Sequence, residues 1–542
     1  MHPDKVSTQR LDHLGIVAGI CHEIDLVERI DSKVAKETDV LTVGQAVMAM
    51  VLNALGFVGR PLYLTPEFFH NKPVDLLIHP DVKADHLNQH NLGRALDALF
   101  KAGITEVFVH VSTHALRKFG IKVRQARLDS TSFSLQGEYP NQDEDSEAAT
   151  ITFGYSKDHR PDLKQIMLNL ICANSSSIPT WLQALSGNTS DSTQFPEAIR
   201  AYCDQLDDDT PTPILMIDSA VYSKGNLDEI SDCGKWISKA PNTIKAVKEL
   251  YSAVEADDLV VLDEETRYFE WCSLYGGIKQ RWVVVQHAPT RARQQQAFAD
   301  QLEKERQQAQ KQLRYLQNKT YDCEDAVQKA LARQTKCWRF HQAQVSWKQV
   351  PRYDKPGRPA ADAVPQMMWQ LETAQVVEDE EAIAAQRARH GRYVLATNEL
   401  DADQLPVASI ITLYKQQSTS VERGFRFLKD PMFFAHSLFL KKPSRIMALL
   451  MVMGLSLLIY ALAEDHLRAQ MAARDETIPD QKGYPTQRPT MRRIFQMFEG
   501  IDVLIVLEER QQRRLIVNLT DLHRQILSYF SEHVRKIYDP PT

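Results

Sequence analysis

The sequence predicts an α/β protein: a mixed β-sheet flanked by helices, interrupted by a long α/β insertion and preceded by an all-helical N-terminal domain. Three observations predict it. Residues 1–115 carry apolar side chains at three- and four-residue spacing, the period of a helix with one buried face. From about residue 120 short β-rich runs alternate with helical ones, as in α/β folds. A largely polar stretch from 246 to 400 then intervenes before apolar helical sequence resumes.

In the first stretch HEIDLVERID, VGQAVMAMVLNALGF and LNQHNLGRALDALFKAG are amphipathic, the last stopped by Gly103. Such a domain, 1–115, reads first as a helical packing or dimerisation module and second as a DNA-binding lobe. Next, IKVRQARLDSTSF, ATITFGYS and LKQIMLNLICAN read as three strands, the second and third joined by KDHRPD as a hairpin. The helix FPEAIRAYCDQL, the strand PILMIDSA, another helix and the strand KWISKAP follow. Three strands, a helix, a strand, a helix and a strand is the order of a ribonuclease-H-like sheet. Residues 116–245 are therefore the first part of that core, and 246–400 an insertion. The insertion holds strand-like DLVVLDE and RWVVVQHA, a long polar helix from about Thr290 to Lys336, and the basic loop KQVPRYDKPGRPA. Residues 401–475 are the second part of the core, and 476–542 a polar tail region.

Ile446 to Ala463 is an uncharged run of 18 residues, the lower edge of a membrane span. It has no flanking aromatic belt and no companion span, so a buried core helix is expected and no membrane contact. Hydrophobic content of 43% and charged content of 25% are those of a folded soluble protein. The net charge of −6 means that nucleic-acid contact must come from local basic patches. Seven cysteines are scattered without a CxxC pair, which favours a reducing cytoplasm over a disulfide framework or a zinc site. The start, MHPDKVSTQRLDHLGIVAGI, does not read as a signal peptide.

Two acids end apolar strands: Asp129 in ARLDSTSF and Asp218 in MIDSAVYS. In the expected topology these strands are neighbours. Two carboxylates side by side repel unless a divalent cation lies between them, and magnesium takes such oxygen ligands. Glu422 in TSVERGFRFLKD is the candidate third acid. On a helix, Glu422, Arg426 and Lys429 share one face beside the apolar Val421, Phe425 and Leu428. A metal ligand followed by phosphate-binding cations is what metal-assisted phosphodiester chemistry needs. Each residue also has an ordinary explanation: a strand-end Asp forms turns, and Glu422 can pair with Arg426 along the helix.

LDSTSF, GYSKDHRPDLKQIML, GNTSD, MIDSAVYS, ERGFRFLKDP and IPDQKGYPTQRPTMRRIFQMFEG resemble bacterial insertion-sequence transposases. These are DDE enzymes of the insertion-sequence-four superfamily, here of its sixteen-thirty-four branch, and the resemblance runs to about Gly500. It implies that Asp129, Asp218 and Glu422 are the catalytic, metal-binding DDE triad, with Mg2+ as cofactor and Mn2+ as a substitute. The family signature Tyr-x2-Arg-x3-Glu-x6-Lys is met at Glu422 and Lys429, but Ser418 stands at the Arg position and Lys415 at the Tyr position, with Tyr414 one residue off. The resemblance further implies cut-and-paste movement of an element bounded by inverted repeats, on double-stranded DNA, by a homodimer in the bacterial cytoplasm and at the nucleoid. If a hairpin forms at the element's end, Trp338, Trp347 and Trp369 are candidates to stack a flipped base.

Local charge agrees with DNA contact. From Lys415 to Arg445 seven bases oppose two acids, and Arg423, Arg426, Lys429, Arg160 and Lys164 are the candidate DNA-binding residues. The alternatives are a catalytically silent transposase-derived DNA-binding protein, or a ribonuclease-H-like nuclease that cuts without joining.

Overall fold

A computed structural model describes residues 6–35, 40–57, 61–139, 147–174, 176–206, 212–353, 364–429, 440–508 and 511–540, without the side chains of 191–193, 417–423, 508, 511 and 512. Two compact units result: 1–238, 276–278 and 409–542 form the first, and 239–275 and 279–408 the second.

The first unit opens with the strand β1 (Val6–Arg10), a departure from the all-helical reading of this stretch. Seven helices follow: α1 (Leu14–Glu23), α2 (Leu26–Asp31), α3 (Val43–Ala54), α4 (Thr65–Phe69), α5 (Val74–Leu77), α6 (Gln89–Lys101) and α7 (Ile104–Lys118). Local chemistry sets their starts. Thr42 and Gln45 form a reciprocal capping box at α3. The Asn88 side chain accepts from the N–H groups of His90 and Asn91 at α6. Gly103, at φ 84, makes the reversal into α7 that a side chain would resist.

The sheet of this unit comprises β2 (Gln125–Leu135), β3 (Lys164–Ala173), β4 (Ile178–Ser186), β5 (Ile214–Ile217) and β6 (Trp236–Ala240), with α8 (Asp191–Cys203) before β5 and α9 (Lys224–Cys233) after it. The order is β4-β3-β2-β5-β6. β2, β3 and β4 are antiparallel, β5 runs parallel to β2, and β6 parallel to β5. Nearly every residue of β2 and β3 is buried, so both sheet faces are covered. One expected strand is corrected. ATITFGYS makes a single bridge, Thr152 to Gln165, and Ile178–Ser186 is the third antiparallel strand instead. A Cβ on Gly154 would stand 2.0 Å from the Gly187 carbonyl oxygen, so only glycine fits where the chain passes this close.

The second unit contains α10 (Lys245–Ala253), β7 (Val260–Val261), β8 (Thr266–Tyr275), β9 (Ile278–His287), α11 (Ala288–Gln317), β10 (Thr320–Tyr321), α12 (Glu324–Thr335), β11 (His341–Arg352), β12 (Gln366–Glu378), α13 (Glu380–Arg389) and β13 (Arg392–Thr397). Its strands run β13-β9-β8-β7 and β10-β12-β11. The long polar helix expected from Thr290 to Lys336 is two helices. Thr320 and Tyr321 leave the helix to pair with Gln370 and Trp369 of β12. Trp338, Trp347 and Trp369 pack against the small core of Leu313, Leu316, Val327 and Leu371, and Trp338 Nε1 donates to Gln312 Oε1 at 2.7 Å.

The chain returns to the first unit with α14 (Val407–Leu428) and α15 (Pro443–Arg474). Pro443 starts α15, where its missing N–H costs nothing. The most apolar 18-residue window of α15 is 94% buried inside the protein, as a core helix requires. It lies close to its neighbours: a Cβ on Gly454 would stand 2.6 Å from Leu182 Cδ1 of β4 and 3.1 Å from Phe108 of α7.

The stretch read as a polar tail is folded: β14 (Ile478–Pro479), β15 (Pro485–Thr486), α16 (Met491–Met497), β16 (Asp502–Glu508), β17 (Gln511–Val517), α17 (Asp521–Ser528) and α18 (Glu532–Ile537). β1 pairs antiparallel with β16, and one continuous core joins α1, α3, α6, α7, α15, α16 and α18. The polar residues lie on the outer faces, which is why composition alone suggested a tail.

His13 illustrates the cost of that core. It is buried, stacks on Phe495 at 4.3 Å, and donates from Nε2 to the Leu55 carbonyl at 2.8 Å. Burial lowers its pKa from 6.5 to about 4. A base with a depressed folded pKa binds fewer protons folded than unfolded between those values. Stability is therefore complete above pH 6.5 and falls as pH drops toward 4, by about 3 kcal/mol at 1.36 kcal/mol per unit. Denaturant midpoints of wild type and His13→Gln measured from pH 7.5 to 4 should show a steeper acid loss in wild type. Parallel curves would remove His13 as the cause.

Candidate active site

Backbone register brings the segments of the two strand acids together. Gln125 pairs with Ile214, Ala126 with Leu215 and Arg127 with Met216. Asp129 and Asp218 each follow two residues beyond the last of these pairs, at the same offset. Asp129 lies inside β2 rather than at its end; the pairing with β5 stops two residues before it, at Arg127. Each carboxylate has a local role. Asp129 Oδ1 accepts from the Ser130 N–H, and Asp218 Oδ1 from the Ala220 N–H, each at 2.7 Å. Asp218 thereby caps the short turn Ser219–Val221 and is itself exposed.

Helix α14 crosses the sheet over Arg127, which holds it. The Arg127 guanidinium donates through Nη2 to the Leu413 carbonyl at 2.8 Å and through Nη1 to the Gln416 carbonyl. Nη2 also donates to Gln125 Oε1 at 3.1 Å. The side chain is only 1% exposed, and burial lowers its pKa to about 10. Further along, a Cβ on Gly424 would meet Leu170 of β3 at 3.8 Å, and Leu170 is the cross-strand partner of Asp129. Lys429, just past α14, lies over the Phe133 ring at 5.7 Å. Arg127, Asp129 and Phe133 share one face of β2, so α14 runs along the strand, with position 422 between its contacts at Gln416 and Lys429. The Glu422 and Arg423 side chains lie outside the described residues.

Sequence reasoning missed two contributors. Arg127 reads in sequence as one more base of a solvated run, yet it is the buried anchor of α14. Tyr414 stands off the family signature by one residue, yet burial, and then the nearby Asp218 carboxylate, raise its pKa. Its phenol therefore stays protonated beside that acid.

Several expected DNA-binding cations are engaged within the chain. Arg160 forms a two-pronged pair with Asp162 at 2.8 and 2.7 Å. Lys164 donates to the Tyr139 carbonyl at 3.2 Å. Lys429 pairs with Asp158 at 2.5 Å. Arg426 is exposed on α14. A second basic feature is a cleft of ≈ 440 Å³ lined by Tyr63, His90, Arg94, Lys441, Lys442 and Arg445. Arg445 is held there by Asp97 through bonds of 2.7 and 2.6 Å, while Arg94, Lys441 and Lys442 are exposed.

Among the described residues no three His, Cys, Asp or Glu side chains form a metal cluster. Two carboxylates set in register, both oxygen donors, do suit a hard divalent cation.

Comparison with known proteins fits this arrangement. A domain of unknown function, DUF4277, matches residues 6–113. No curated protein matches the chain. A solved piggyBac transposase synaptic complex with hairpin DNA aligns over 99% of this chain and 85% of that one, at 8% identity and a TM-score of 0.38. A likeness that slight carries no argument. The transposase DDE domain matches residues 126–459, more than half of the sequence and the whole span from β2 into α15, and on that match the chain belongs to the DDE transposase family.

Proposed function

We propose that this chain is a cut-and-paste DNA transposase of the insertion-sequence-four superfamily, in its sixteen-thirty-four branch. It cuts at terminal inverted repeats and joins the freed ends to target DNA, working as a homodimer in the bacterial cytoplasm. The observation that carries the reading is the shared register of Asp129 and Asp218 beneath a helix that bears Glu422. The antiparallel then parallel strand order supports a ribonuclease-H-like core split into 116–245 and 401–475, with 246–400 as the insertion and 1–115 as the end-binding or dimerising domain.

A bound divalent cation, magnesium or manganese, would neutralise charge at the scissile phosphate and ease deprotonation of the attacking hydroxyl. Asp129, Asp218 and Glu422 would hold it through carboxylate oxygens. Arg127 would fix α14, and with it Glu422, over the two strand acids. Tyr414 offers an O–H donor beside Asp218 for a phosphate oxygen. Arg426 would contact the DNA backbone, and Arg94, Lys441 and Lys442 would grip phosphates further along it.

The test uses labelled DNA carrying the element's own ends, a target plasmid, and magnesium or manganese. Cleavage with joining supports the reading. Cleavage without joining points to a nuclease, and specific binding without cleavage to a silent DNA-binding protein. For the basic cleft, the pair Lys441→Glu and Lys442→Glu should weaken binding to all sequences alike. The salt dependence of log K should lose about 2 in slope, roughly one per phosphate contact removed. An unchanged slope would take the cleft out of the DNA path.

A further inference from the structure

Two cysteines that the sequence scatters meet in the fold. Cys203 is the last residue of α8 and Cys233 the last of α9. The helices pack side by side, and about one turn earlier Arg200 of α8 pairs with Glu229 of α9 at 3.2 Å. At the cysteines themselves, the two thiols lie within hydrogen-bond reach of one another. The Cys233 S–H donates to the Glu229 carbonyl at 3.6 Å. Both thiols are partly exposed, and neither is in a disulfide.

We propose that Cys203 and Cys233 form a peroxide-oxidisable dithiol whose disulfide staples α8 to α9. The environment divides the roles. The hydrogen bond between the thiols, with the Arg200 guanidinium nearby, lowers the Cys233 pKa. The same hydrogen bond, and then burial, keep Cys203 protonated. Cys233, whose pKa is lowered, is the more readily ionised of the two and attacks once it gives up its S–H bond to the Glu229 carbonyl; its partial exposure admits a small oxidant. Its sulfur takes one oxygen of hydrogen peroxide: an S–O bond forms, the O–O bond breaks, and hydroxide leaves to become water. Cys203 then attacks the Cys233 sulfenic acid. The S–S bond forms, the S–O bond breaks, and a second water leaves with the Cys203 proton. Two thiols and one peroxide give one disulfide and two waters, with two electrons passing from sulfur to oxygen. Because α8 also packs on the turn Ser219–Val221 that Asp218 caps, the staple braces the segment that follows that acid.

The full chain, reduced and freed of reductant, would be treated with stoichiometric hydrogen peroxide, alkylated and digested with trypsin. Cleavage after Arg200, Lys224 and Lys235 puts Cys203 in 201–224 and Cys233 in 225–235. The expected product is a linked pair of these peptides, two hydrogens lighter than their sum and separated by dithiothreitol. It should exceed disulfides involving the exposed Cys272, Cys323 and Cys337 about 10-fold, because a second thiol stands beside the first one oxidised. In Cys203→Ser the linked pair should vanish and dimedone should label Cys233. Oxidation falling first on the exposed cysteines, or dimedone-labelled Cys233 in wild type without the linked pair, would overturn the proposal. The readout is mass, so it stands or falls apart from whether the chain cuts DNA.

Discussion

Asp218→Asn is expected to lower DNA-end cleavage by about 10³-fold or more while leaving the fold and DNA binding intact. The magnitude follows from comparison: losing a group that merely supports a metal ligand costs 10–100-fold, and this change would remove a ligand itself. The substitution is clean because an Asn side-chain oxygen can still accept the Ala220 N–H, as Asp218 Oδ1 does. Asp129→Asn should behave alike, since its local bond from Ser130 is also within reach of an amide oxygen. With no metal present, each variant should melt no lower than wild type, because one of two adjacent like charges is gone. Gel assays of cleavage alongside thermal melts in chelator would check both halves. Full cleavage by either variant would mean that the carboxylates in register are not the catalytic pair.

Arg127→Ala should damage stability and activity together. The variant loses charge-assisted bonds to two α14 carbonyls and leaves a cavity in a buried strand, at a cost of about 2–4 kcal/mol. It also frees α14 from the face that carries Asp129. A displacement of about 1 Å at a catalytic group can cost 10²-fold, so cleavage should fall by about that factor while affinity for end DNA changes little. Arg127→Lys is the informative companion: it keeps the charge but not the fork that reaches two carbonyls. Its stability should lie between the other two, with cleavage still impaired. Normal cleavage by Arg127→Ala at a temperature where it is folded would show that α14 holds its position without the anchor.

Both variants bear on how far the sequence could be read. The two acids were nameable because each follows an apolar run, yet Asp129 lies inside β2, and only the parallel pairing of β2 with β5 brings their segments together. The burial of α15 was legible from length and flanks. Arg127 was not, because a lone base in a strand looks solvated until the helix above it is known. Ile178–Ser186 was passed over as a strand because it includes Pro179 and Gln183, whereas ATITFGYS alternates better. ATITFGYS nonetheless makes only the single bridge Thr152 to Gln165, which no local pattern foretells. The charge count overstated the free cations, since the partners of Arg160 and Lys429, Asp162 and Asp158, became evident only through side-chain geometry. The cysteine pair, thirty positions apart, depends wholly on how two helices pack.

The strand β1 finds its partner nearly five hundred positions downstream, with Val6 opposite Val506. The Tyr538 hydroxyl donates to the Asp12 carbonyl at 2.6 Å, across 526 positions. A ribosome adding about 5–20 residues per second would need roughly half a minute to two minutes to deliver those partners. Throughout that time the face of α1 that packs on α18 is made but uncovered. The nascent chain is therefore a client for chaperones that shield hydrophobic sequence, and a product truncated before β16 would leave the first-made segment without the surfaces that bury it.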